Sequence, residues 1–142
     1  MECGALDGET RSNTLTLERD LGWSGVLVEA DPKTMVKLLA KHRKAHAVGN
    51  CLSITPATMN VTYRTNFNIG HIQSTKAGGG GGGRSRTANL LCLPFYSVMR
   101  AVDINHVDYF SLDVEGNELQ VLKTIPFDKI DISVRIKIGI HS

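Results

Sequence analysis

The sequence predicts an α/β domain: a central parallel sheet with flanking helices. Three observations carry that expectation. Short apolar runs alternate with segments of helical period along most of the chain, the rhythm of βαβ units. One run, Val26-Leu27-Val28, is continuously apolar, as a strand covered on both faces must be. The chain also opens on a glycine-bearing loop, Glu2 to Gly8, and an acidic residue, Glu29, stands ~20 residues further on at the end of the next strand.

Glu2 and Cys3 end the first strand, and residues 4 to 8 turn out of it. Ser12 or Thr14 can cap a helix that carries Leu17 and Leu21, and Gly22 stops it. After the strand at Val26 to Val28, Asp31 suits an N-cap and Pro32 the first helical position. Met35, Leu38, Leu39 and His42 fall at i, i+3, i+4 and i+7, which predicts one buried stripe. The basic cluster from Lys41 to Lys44 complements the dipole at that helix end. From Ser53 to Leu91 periodicity fades. Val61 to Tyr63 read as a short strand, and residues 78 to 83 are consecutive glycines followed by Arg84-Ser85-Arg86. With maximal backbone entropy and nothing to bury, that run predicts a flexible insertion at about 75–88. A phosphate-cradling loop would need a Lys-Ser/Thr pair heading a helix, and none follows.

Pattern returns at Leu93. Pro94 opens a helix through Val102, and Val107 to Leu112 make a strand in which Tyr109 and Phe110 are strong strand formers. Leu119 and Leu122 line a short helix that ends before Pro126, and Glu118 points to solvent at its start. Ile130 to Ile140 alternate as a last strand. Right-handed crossovers then predict the strand order 3-2-1-4-5, with Gly4, Glu29 and Asp113 meeting at the carboxyl edge, where open α/β sheets bind ligands.

Composition sets limits on function. Hydrophobic residues are 42% and charged residues 21%, ordinary globular usage that argues against disorder or a fibre. A formal charge of +2 is too small for a nucleic-acid partner. No apolar run reaches the ~18 residues of a membrane span, and the start lacks a basic-then-apolar signal sequence. His42, His46, His71, His106 and His141 lack the acidic or Cys neighbours of a metal site, so no metal is expected. Cys3, Cys51 and Cys92 form no C-x-x-C pair, and buried free thiols are the default. No G-x-S-x-G nucleophile signature is present.

The opening loop carries the ligand argument. Gly4 and Gly8 allow close backbone approach, and the Glu29 carboxylate can accept hydrogen bonds from both hydroxyls of a ribose. Surface turns use the same glycines, and Glu29 could be a solvated strand-end charge. The agreement of position and spacing favours the ligand role. A dinucleotide would want G-x-G-x-x-G, but Leu6 stands where the middle glycine belongs. Glu2, Asp7 and Glu9 add negative charge that would repel pyrophosphate and suit a cationic sulfonium. S-adenosylmethionine is the better match.

Three segments carry a family resemblance: Glu-Cys-Gly-Ala-Leu-Asp-Gly-Glu-Thr (2–10), Val-Leu-Val-Glu-Ala-Asp-Pro (26–32) and Asp-Tyr-Phe-Ser-Leu-Asp-Val-Glu-Gly-Asn-Glu-Leu-Gln-Val-Leu-Lys (108–123). Together they resemble the FkbM-type methyltransferase domain, and more narrowly its animal, Star-like branch. The resemblance implies a Rossmann-like class I methyltransferase fold over residues 1–142, a single partial domain, incomplete at both ends because the family's first strand begins earlier and its sheet continues later. It implies S-adenosylmethionine as cofactor, contacted by Glu2, Gly4, Asp7, Gly8, Glu29 and Asp31. Asp113 and Glu115 would be catalytic, Asp113 taking the proton of an acceptor hydroxyl; the two carboxylates could equally cap the next helix.

Two functions of different class follow from the resemblance. One is O-methylation of a small-molecule or glycan hydroxyl. The other is a non-catalytic Star-like module that binds membrane-bound cargo in trafficking between endoplasmic reticulum, Golgi, endosome and plasma membrane. A secretory location would make two further features meaningful. Asn60-Val61-Thr62 is an N-glycosylation sequon, and Cys51 and Cys92 border the irregular middle segment, where a bridge between them would be stabilising.

Overall fold

The computed structural model describes residues 1–66, 69–73, 86–114, 116–133 and 136–138. The chain begins with β1 (Glu2–Cys3), α1 (Leu15–Leu21), β2 (Val26–Val28), α2 (Pro32–Leu39) and β3 (His46–Val48). Each boundary has a local cause. Gly22 ends α1 in the left-handed conformation, φ 71°, and its N–H and that of Trp23 bond back to the carbonyls of Glu18 and Leu17. Asp31 caps α2, its carboxylate accepting from Lys33 N at 2.7 Å and Thr34 N at 3.2 Å, with Pro32 in the first turn.

The middle of the chain is more ordered than its sequence suggests. It forms β4 (Cys51–Leu52), β5 (Met59–Asn66), β6 (Ile69–Gln73) and β7 (Arg86–Leu93), a four-stranded sheet in the order β4-β7-β5-β6. β5 pairs antiparallel with both β6 and β7, whereas β4 runs parallel to β7. The short strand expected at Val61 to Tyr63 is the centre of an eight-residue one. Residues 86–88 of the expected insertion belong to β7, and the glycines at 78–83 lie outside the described residues. Cys51 and Cys92, directly opposite in the β4/β7 register, are joined by a disulfide with Cα atoms 4.3 Å apart. The default of three free thiols therefore holds for Cys3 alone, which is buried.

The last part comprises α3 (Phe95–Ala101), β8 (His106–Val107), β9 (Phe110–Leu112), α4 (Glu118–Lys123), β10 (Asp131–Ile132) and β11 (Ile136–Ile138). Two expected strands are each divided. The run from Val107 to Leu112 breaks at Asp108 and Tyr109, so that β8 leaves to pair with β10, where His106 sits between Asp108 and Asp131 at 3.1 and 2.9 Å. The segment from Ile130 onward likewise splits into β10 and β11, with Ile140 outside the described residues.

Five strands form the central sheet, in the order β3-β2-β1-β9-β11, and every pair is parallel. Counted within that sheet alone, this is the expected order 3-2-1-4-5. Both faces of β2 are covered, which is why its sequence is apolar throughout. Val26 and Val28 join Phe95, Val98, Met99, Phe110 and Leu112 on one side, where the rings of Phe95 and Phe110 stand 5.1 Å apart. Leu27 joins Ala5 and Leu38 on the other. Burying such a side chain contributes roughly 1.5–3 kcal/mol. The stripe on α2 is narrower than its spacing implied. Leu38 is buried, but Leu39 is 55% exposed and His42 lies beyond the helix at φ 50°.

Candidate functional site at the carboxyl edge of the sheet

The first loop is laid over the end of β2 by backbone hydrogen bonds. Gly4 N and Ala5 N both donate to Val28 O, at 3.0 and 3.1 Å. Gly4 has φ 78°, and a Cβ there would press into the carbonyl oxygen of Asp113. Glycine is required because β1 and β9 pass so closely where they leave the sheet. Asp113 N in turn donates to Cys3 O at 3.1 Å. Gly4 and Asp113 thus stand side by side at the carboxyl edge.

Glu29 joins them from the end of β2. Its side chain is turned back onto the loop, Oε2 accepting from Leu6 N at 2.8 Å and Oε1 from Asp31 N at 2.7 Å. The residue is only 5% exposed. Burial pushes its pKa up, helped by the nearby Asp31 charge, and the hydrogen bonds from the Asp31, Leu6 and Ala30 backbones offset that only in part. Each oxygen is held by a backbone N–H, and a carboxylate oxygen can accept more than one hydrogen bond. A buried acid held in this state at a ligand edge suits a diol.

The other residues assigned to cofactor by the sequence are engaged elsewhere. Glu2 is 2% exposed and faces α1, where its carboxylate accepts from Ser12 Oγ and Asn13 N, both at 2.8 Å, and Thr14 Oγ1 at 2.5 Å. Asp7 closes its own turn by accepting from Glu9 N, Thr10 N and Thr10 Oγ1. Burial would raise its pKa, but those bonds outweigh it and hold the carboxyl below the usual range. Gly8 has φ 79° and packs against Leu38 and Arg43. Asp31 serves the α2 cap. Glu9, counted among the loop's negative charges, pairs with Lys41 at 2.5 Å. The negative field expected of this loop is therefore largely neutralised or turned away, and Glu29 and Asp113 are the acids that the strand ends bring to the edge. Glu115 lies outside the described residues.

Three residues that position the site escaped the sequence reading. Glu118 is buried rather than solvent-facing, and its Oε1 accepts from Val114 N at 3.0 Å and Gly116 N at 3.1 Å, shaping the turn after β9. Arg43 is not a solvated helix-end cation. Its guanidinium donates to Gly8 O and pairs with Glu18 at 3.0 Å, with side-chain exposures of only 4% and 13%. Glu18 also accepts from Lys44 N and Ala45 N. The available signal was weak: a glutamate two residues after Gly116, and an Arg among lysines.

Two small cavities, of about 30 and 50 Å³, lie at the opposite, amino edge and share Met1, Trp23, Gly25 and Tyr109. Each has room for a few waters at most, so neither takes a nucleoside. Among the described residues, no group of three or more His, Cys, Asp or Glu could hold a metal, and no helix is long and apolar enough to cross a membrane. The model of the methyltransferase FkbM domain matches residues 2–142. The match marks a family and no branch within it. No curated protein and no solved structure matches the chain.

Proposed function

From the premise that this chain belongs to the methyltransferase FkbM family, we propose that it is an S-adenosylmethionine-dependent O-methyltransferase acting on a hydroxyl of a small molecule or glycan. The observation that carries the reading is the convergence of the Gly4 loop, Glu29 and Asp113 at one carboxyl edge of a parallel sheet. The cofactor would supply an electrophilic methyl group on a sulfonium. Glu29 would accept from its ribose hydroxyls, and the loop from Gly4 to Gly8 would lie against it. Glu2, Asp7 and Asp31 support that contact from behind, through the α1 start, the loop turn and the α2 cap respectively. Asp113 would orient the acceptor hydroxyl and take its proton, the role Glu115 shares in the sequence pattern.

One observation favours a second reading. Both Glu29 oxygens are already held by backbone N–H groups, so the fold does not need a ligand to settle this residue. A non-catalytic, Star-like cargo module would have that property. Calorimetric titration with S-adenosylhomocysteine separates the two. We expect saturable binding by the unaltered chain and a loss of ~1–3 kcal/mol of affinity in Glu29→Ala, since a charge-assisted pair is removed. Unchanged affinity in the variant would retire Glu29 from the site. No binding by the folded, unaltered chain would reject the enzyme and favour the cargo module.

A further inference from the structure

Asn60-Val61-Thr62 is the single Asn-x-Ser/Thr sequence in the chain. It lies inside β5, where alternation decides which side chains meet solvent. Val61 turns inward, 5% exposed, and packs with Cys51, Leu90 and Cys92. Asn60 and Thr62 turn to the other face. Asn60 is exposed, and across the strand pair it stands opposite Leu91, itself 43% exposed. Thr62 stands opposite Asn89, also exposed, with 3.5 Å between Thr62 Oγ1 and Asn89 Oδ1. The neighbouring residue, Met59, pairs with Cys92, which is bonded to Cys51.

We propose that Asn60 is an N-glycosylation site and that this domain matures in the oxidising lumen of a secretory compartment. Two independent chemistries agree on that place. A disulfide persists in the lumen and is rare in cytosol. Asparagine glycosylation is confined to the same lumen, where the co-reactant is an oligosaccharide carried on a lipid pyrophosphate. In the transfer, Asn60 Nδ2 forms a bond to the anomeric carbon of the first sugar. The bond from that carbon to the pyrophosphate oxygen breaks, the lipid pyrophosphate leaves with the electron pair, and one amide proton is released. The folded domain has only to leave room for the product. The outer face of β5 and β7 does so, and the first sugar covers Leu91.

The test is expression of the chain behind a cleavable leader in cultured secreting cells, beside Asn60→Gln and Thr62→Ala. The unaltered chain is expected to carry one glycan, which N-glycosidase removes to give the mobility of both variants. Cys51 and Cys92 are expected in one cross-linked peptide before reduction. Expressed from its own gene with no added leader, the protein is expected to carry the same glycan. An unmodified Asn60 in the leader-directed chain, alkylation of Cys51 and Cys92 without reductant, or a glycan that appears only with the added leader would each overturn the proposal. Thr62→Ala keeps Asn60 itself, so loss of the glycan in both variants reads the sequon rather than a misfolded Asn60→Gln chain.

Discussion

Glu18, in α1, and Glu29, at the end of β2, are glutamates whose surroundings move their protonation in opposite directions. Burial works against ionised Glu18, but the Arg43 guanidinium and the N–H groups of Lys44 and Ala45 outweigh it, and its pKa lies below the usual range. A depressed folded pKa contributes stability that is present above the ordinary glutamate value and lost as pH falls through the folded one. Arg43→Met would leave Glu18 part-buried without its cation, held only by the Lys44 and Ala45 N–H groups. It should cost about 1–3 kcal/mol in urea unfolding and flatten the loss of stability below the ordinary glutamate pKa. A cost under ~1 kcal/mol would show the pair to be no more than a surface ion pair. Glu29 has the reverse sign. Its raised pKa contributes stability below the ordinary glutamate value that is lost as pH rises through the folded one. Donor hydroxyls favour the ionised form, so affinity for S-adenosylhomocysteine should rise with pH through that same interval, and Glu29→Gln should abolish the dependence.

At the scale of single elements, turns were legible wherever one residue type has a local job. Gly22, Asp31 and Pro32 act within a few residues of themselves, and they end and begin α1 and α2 as their chemistry requires. Gly4 is different, because its need arises from a strand more than 100 residues away in sequence. The contrast can be measured. Gly22→Ala meets no atom within 4 Å and bears only the cost of a left-handed alanine, about 1 kcal/mol. Gly4→Ala adds a clash with the Asp113 backbone and should cost roughly 3 kcal/mol or more, with the β1/β9 junction disturbed. Equal Tm values for the two variants would mean that the β1/β9 contact is loose. The division of β8 from β9 could not be read in this way. Val107, Phe110 and Leu112 are equally apolar, and it is the separate partnership of β8 with β10 that breaks the run.

Across the whole molecule, the chain passes from the first sheet to the second between β3 and β4, and the disulfide then locks β4 to β7 within the second sheet. Cys51 and Cys92 are 41 residues apart in sequence, and in the chain-entropy model the bridge is worth ~4 kcal/mol. That loop contains β5, β6 and nearly all of β7, so the bridge ties together the two ends of the second sheet's long excursion. The double variant Cys51→Ala/Cys92→Ala, or reduction of the unaltered chain, should lower Tm by roughly 10 °C in calorimetry. A shift within ~2 °C would mean that pairing of β5 with β7 already closes the loop unaided.

Periodicity, caps and the apolar run at β2 are written in neighbouring residues, and so the parallel sheet, its order, the α2 start and the carboxyl-edge meeting of Gly4, Glu29 and Asp113 could be inferred from the sequence by itself. The destination of each polar side chain could not, because it depends on partners brought together by folding. Tertiary structure alone turned Glu2 toward α1, Glu9 to Lys41, Arg43 into a part-buried pair with Glu18, and Glu118 into the turn after β9. It also made an antiparallel strand pair of a segment without periodicity, since β5 and β7 gain their order from each other across 21 residues (Thr65 to Arg86) or more. A charge or a strand whose partner is distant has no local signature: its energy is set by burial and pairing, and both exist only once the chain has folded.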